Sequence, residues 1–108
     1  MTQSNKELIY VFDGYGVNGR TLTESLKRAT QEDPSIEIQT ITSADLRNMD
    51  RINPDRVIAF FLPGGPRPQY DIQVGEKGFE LIRNYVENGG SFYGICAGAY
   101  YASKEFEW

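Results

Sequence analysis

The sequence predicts an α/β domain of the flavodoxin-like, three-layer, doubly wound type, with about four parallel strands and helices on both faces. Three observations lead there. Two continuous apolar runs rich in strand formers, Leu8 to Phe12 (LIYVF) and Val57 to Leu62 (VIAFFL), read as strands buried on both faces. Segments of helical periodicity lie between the strand-like runs, and that alternation builds a parallel sheet through right-handed crossovers. At 108 residues the chain supports one core, burying roughly two-thirds of its unfolded surface, so residues 1–108 are read as a single domain.

The elements follow in order. LIYVF is bounded by Lys6-Glu7 and Asp13-Gly14. Thr21 with Glu24 is expected to form a capping box, with Leu22, Leu26 and Ala29 on the apolar stripe of a helix that Asp33-Pro34 stops. Ile36 to Ile41 (IEIQTI) alternates like an edge strand, with Ile36, Ile38 and Ile41 turned inward. Ser43 is expected to cap a short helical turn through Met49, closed by the turn residues Asn53-Pro54-Asp55. VIAFFL then runs into a rigid loop, Pro63-Gly64-Gly65-Pro66. Helical spacing returns from Val74 through Phe79, Ile82, Tyr85 and Val86, and Asn88-Gly89-Gly90 gives a C-terminal stop. Ser91 to Ile95 reads as a fourth strand, and Ala97 to Lys104 opens another helix with small residues.

Composition narrows the function classes. With 40% hydrophobic and 24% charged residues the chain is an ordinary globular one, not disordered or collagen-like. Lys and Arg number 11 against 15 Asp and Glu, a net charge of -4 without a basic cluster, which argues against nucleic acid as a partner. The start, MTQSNKEL, has no apolar signal region, and no apolar run approaches the ~20 residues of a spanning helix, so no membrane partner and a cytoplasmic location are expected. A single cysteine, Cys96, excludes an internal disulfide. The absence of histidine removes the commonest general base and metal ligand, and no metal or cofactor is expected.

Two stretches carry candidate chemistry. In Asp13-Gly14-Tyr15-Gly16-Val17-Asn18-Gly19 the glycines have the spacing of a dinucleotide fingerprint after a first strand. The fingerprint also needs an acidic residue at the end of the second strand. Here the first candidate is Asp45, inside the next helical turn, so Gly14, Gly16 and Gly19 are read as a tight strand-to-helix loop that walls a site. The sharper pattern is Gly94-Ile95-Cys96-Ala97-Gly98, a G-x-C-x-G at a strand-to-helix joint, where small flanking residues let the central side chain stand exposed. A following helix N-terminus favours the thiolate of Cys96; the alternative is a small buried cysteine in a tight joint. Gly64 and Gly65 at the end of VIAFFL, with the amide of Ala97, supply donors of the oxyanion-hole type. Arg67, beside the PGG loop, either meets a carboxylate or is a solvated loop arginine, and Asp13 either hydrogen-bonds the thiol or caps the glycine turn. Tyr70, Tyr93, Tyr100 and Tyr101 are expected to pack or line the cleft.

Taken together, VIAFFLPGGPRPQY, the helix through NYVENGG, and SFYGICAGAYYAS resemble the class I glutamine amidotransferase-like proteins, above all the branch found as the N-terminal domain of biotin-protein ligases. IYVFDGYGVN fits that branch too. The resemblance covers most of the chain, and PGG and GICAGAY are its specific part. It implies a doubly wound fold, a nucleophile position at Cys96, and oxyanion amides at Gly64, Gly65 and Ala97. In the amidotransferases the catalytic histidine and its acidic partner lie well C-terminal to the cysteine, and no residue of this chain takes their roles. The expected function is therefore a non-catalytic or incomplete binding and interaction module for a small amide or carboxylate ligand. The alternative is a cysteine-dependent amidase or glutamine amidotransferase completed by a partner chain. A sheet without the later strands of the relatives leaves an edge open, so a homo-oligomer, or association with a separate C-terminal half through the aromatic tail YYASKEFEW, is expected. No segment resembles the catalytic part of a biotin ligase.

Overall fold

Four parallel strands form one sheet in the order β2-β1-β3-β4. The computed structural model describes residues 7–14, 19–63 and 74–94. Strand β1 is Glu7–Phe12, β2 Ile36–Ile41, β3 Val57–Leu62 and β4 Phe92–Gly94; helix α1 is Gly19–Ala29, α2 Ser43–Asn48 and α3 Gly75–Glu87. The chain steps outward from β1 to β2, then crosses back to place β3 on the other side of β1, and continues to β4. That reversal, combined with right-handed crossovers, puts α1 on one face of the sheet and α2 with α3 on the other.

Two clusters occupy the two faces. Under α2 and α3, Phe12, Ile41, Val57, Phe60 and Leu62 from the strands bury against Leu46, Leu81, Ile82 and Tyr85. Under α1, the buried Ile9, Val11 and Ala59 pack with the half-buried Leu22, Leu26, Ile36 and Ile38. The Ile residues of β2 therefore divide between the faces. Ile36 and Ile38 point to α1, Ile41 to the opposite core, as the two-residue strand period requires.

Strand β3 breaks that period once. Leu8 pairs with Val57 and Ile9 with Ala59, which leaves Ile58 as an extra residue. Ile58 and Ala59 consequently both face α1, while Val57 and Phe60 face α3.

Capping differs from the sequence expectation at two helices. Helix α1 begins at Gly19, so Thr21 lies within its first turn, exposed, and does not cap it. The first residue of α1 lies against the end of β1, where a Cβ at Gly19 would come 2.5 Å from the Phe12 carbonyl oxygen, so the position accepts only glycine. The buried positions of α1 are Gly19 and Thr23, and Ala29 is exposed. At α2 the cap is Thr42 rather than Ser43. Its hydroxyl accepts from the Asp45 N–H at 3.2 Å, and the Asp45 carboxylate accepts from the Thr42 N–H at 2.8 Å, a reciprocal capping box.

Helix α3 closes as Asn88-Gly89-Gly90 predicts. The Gly90 N–H donates to the Tyr85 carbonyl at 2.8 Å and the Gly89 N–H to the Val86 carbonyl at 3.0 Å, with Gly89 at φ +103°, the pattern of a Schellman motif. The turn at Asn53 is stabilised by the Asp55 N–H donating to the Asn53 side-chain oxygen at 2.9 Å.

Candidate functional site

An open parallel sheet binds ligands outside the carboxyl ends of its strands, where the winding reverses direction. Here that reversal lies between β1 and β3. Asp13 and Gly14, both half-buried, leave β1 on one side of it, and the buried Pro63 leaves β3 on the other. Asp13 is anchored by its N–H, which donates to the Ile41 carbonyl at 2.9 Å and so ties the exit of β1 to the end of β2.

Beside β3, strand β4 ends in register: Leu62 is the partner of Gly94, Phe61 of Tyr93 and Phe60 of Phe92. Gly64 and Cys96 each follow the Leu62–Gly94 pair by two residues in sequence. The two glycine-bearing motifs are thus entered from adjacent strands at the same level of the sheet. Cys96, Gly64, Gly65, Ala97, Arg67 and Gly16 themselves lie outside the described residues, as do Tyr70, Tyr100, Tyr101 and the predicted helix from Ala97 to Lys104. Of the sequence-predicted site residues, Asp13 and Gly14 are described, and both stand at the carboxyl edge.

Asp45 lies in the first turn of α2 rather than at the end of β2. Its carboxylate is engaged in the α2 capping box, one turn into the helix, as the sequence order implies. Tyr93 lies on the α1 face of the sheet, stacked on Phe61 with ring centroids 4.9 Å apart, and is 49% exposed. Sequence spacing does not reveal the Leu62–Gly94 partnership, because register between parallel strands joined by a crossover helix is fixed by packing. The matching distance from each strand end to PGG and to the cysteine is the one signal for it.

Two surface hollows formed by described residues lie away from this rim. One sits at the opposite edge, lined by Lys27, Thr30, Asp33 and Ile36; another lies along α3 beside Phe79 and Arg83. No group of three or more His, Cys, Asp or Glu side chains among the described residues is arranged to hold a metal ion. No helix among them is long and apolar enough to cross a membrane.

Residues 7–108 match the family described as "Biotin-protein ligase, N terminal". An uncharacterized protein of Chlamydia muridarum (strain MoPn / Nigg) is 42% identical over 45 residues, which is 42% of this chain and 17% of that protein's length. No solved structure matches.

Proposed function

Because the chain belongs to the biotin-protein ligase N-terminal family, we propose that it is an amidotransferase-like binding module that takes a small amide or carboxylate between the carboxyl ends of β1 and β3. The observation that carries this reading is the Leu62–Gly94 register, from which Gly64 and Cys96 are equally far. In it, the amides of Gly64, Gly65 and Ala97 donate to a ligand oxygen, and Arg67 meets a carboxylate. Asp13, Gly14 and Gly16 form the facing wall. The chain contains no histidine to act as base, so binding rather than turnover is the expected activity. Its setting in this reading is the cytoplasm, and it works as a homo-oligomer or with a separately encoded C-terminal half.

The test is an NMR titration with glutamine, asparagine and glutarate. Expected are shift changes at Asp13, Gly14, Pro63 and Gly94 that Arg67→Ala weakens for the carboxylate ligands. Changes confined to the hollow near Lys27, or none at millimolar ligand, would overturn the reading.

The spacing G-x-C-x-G favours one further reading, a cysteine-dependent amidase completed by a partner chain. Alkylation of Cys96 against pH separates the two. An apparent pKa well below the ~8.5 of a free thiol marks a poised nucleophile, whereas an ordinary or protected thiol leaves the binding module alone.

A further inference from the structure

Helix α3 ends on Asn88-Gly89-Gly90, and an asparagine followed by glycine is open to attack by its own main chain. Glycine has no Cβ to keep its nitrogen away from the asparagine Cγ, and asparagine is a thermolabile residue. Asn88 is exposed, at φ -100° and ψ 19°, so water and hydroxide reach it. Yet the fold occupies both reacting groups. The Gly89 N–H, whose proton must leave before the nitrogen can attack, donates to the Val86 carbonyl at 3.0 Å. The nitrogen that would depart, Asn88 Nδ2, donates to the Asn84 carbonyl at 2.7 Å. The Gly90 N–H holds the same turn on the Tyr85 carbonyl at 2.8 Å.

We propose that Asn88 is a self-modification site, converted to aspartate and isoaspartate, and that the cap of α3 is its gate. When the cap opens, the Gly89 nitrogen gives its proton to hydroxide and bonds to Asn88 Cγ. The Cγ–Nδ2 bond breaks, ammonia leaves, and a succinimide ring remains. Water then opens the ring at one carbonyl or the other, with no oxidant or cofactor entering. Both products weaken the gate. Aspartate has no Nδ2 donor for the Asn84 carbonyl, and it puts a negative charge at the C-terminal end of a helix, where the macrodipole disfavours it. Isoaspartate lengthens the main chain by one methylene between Tyr85 and Gly90, the two residues that the cap joins. The damage passes to the sheet, since Gly90 leads into Ser91, whose carbonyl accepts from the Phe60 N–H at 2.9 Å just before β4 begins. The site lies at the amino end of β4, opposite the proposed ligand rim, and the inference holds whether or not that rim binds anything.

The test follows conversion of the full chain by mass spectrometry at mildly alkaline pH. It reads the peptide holding Asn88, which cleavage after Arg83 separates from the chain's other Asn-Gly pair, Asn18-Gly19. Folded wild type is expected to convert at least about tenfold more slowly than the chain in urea, because the reaction tracks the open population. Gly90→Ala, whose Cβ would meet the Tyr85 ring and strain the cap, should raise the folded-state rate roughly threefold or more. Thr42→Ala, which weakens the domain through α2, should leave that rate near the wild-type value. Equal rates folded and unfolded, no conversion in urea, or equal acceleration by the two variants would overturn the proposal. Should Gly90→Ala fail to fold, the wild-type chain decides. Its conversion over a temperature series should follow exchange of the Gly89 and Gly90 amides, and a rate that follows the buried Phe60 amide instead would overturn the gate. The purified isoaspartate form should exchange its Gly90 and Phe60 amides faster than fresh protein, and unchanged protection would overturn the link to β4.

Discussion

The hydroxyl of Tyr85 donates to the carbonyl of Val57 at 2.8 Å, joining the last turn of α3 to the first residue of β3 within the core. Tyr85 is 1% exposed, so its phenol has no route to water as an alternative partner. Tyr85→Phe keeps the ring and leaves the Val57 carbonyl without that donor, which should cost about 1–2 kcal/mol. Urea titration is the measurement, with an unchanged slope and a lowered midpoint expected.

The same buried phenol gives the domain an alkaline limit. Burial raises the pKa of Tyr85 above its ordinary 10.0, an effect that exceeds the opposing hydrogen bond at Ser91. Tyr10 shifts in the same direction, again chiefly through burial, with Arg56 opposing. A raised pKa means that the folded state holds the proton more tightly than the unfolded one. The stabilisation is therefore complete below pH 10 and is lost as pH climbs through the elevated folded-state values. Thermal melts should show stability falling above pH 10, less steeply in Tyr85→Phe.

Gly90 is fixed by that ring. A Cβ at Gly90 would meet Tyr85 ring atoms at 2.4 Å, and the Gly90 N–H closes the end of α3 on the Tyr85 carbonyl. Gly90→Ala must displace either the ring or the turn, and is expected to destabilise by about 1–3 kcal/mol. Calorimetry of that variant, beside an exposed control such as Ala29→Ser, measures it.

Two neighbouring hydroxyl residues at α2 should behave differently. Thr42→Ala removes the side-chain acceptor for the Asp45 N–H and should cost about 1 kcal/mol. Ser43→Ala loses an exposed contact in which Arg47 donates to the Ser43 hydroxyl, and should change stability by less than about 0.5 kcal/mol. Equal losses in chemical denaturation would refute the capping assignment.

Much of this architecture is legible in the sequence because it rests on local rules. LIYVF, IEIQTI and VIAFFL become strands whose bounds fall within a residue of the apolar runs, and Asn88-Gly89-Gly90 ends α3 because glycine accepts the left-handed conformation there. What local rules cannot reach depends on contacts between elements. Thr21 and Glu24 have capping-box spacing, yet the helix begins three residues before Leu22, at Gly19, which packs against Phe12 too closely for a side chain. Ser43 is as good a cap by type as Thr42, and only the reach of Asp45 back to the Thr42 N–H decides between them. Of the candidate site, the order of motifs along the chain is readable from sequence, whereas the register that levels Leu62 with Gly94 belongs to the packed sheet.

The unpaired Ile58 has a bearing on how this domain can vary in length. Val57 and Phe60 face one core, while Ile58 and Ala59 together face the other. Excising Ile58 would leave Val57, Ala59 and Phe60 in strict alternation, with Leu8 and Ile9 still opposite the partners they have now. The strand thus carries one surplus position, where a homologue can shed a residue and still deliver Leu62 and Pro63 to the same rim. Elsewhere in β3, between Ala59 and Leu62, the same deletion would turn one side's core residues toward the other.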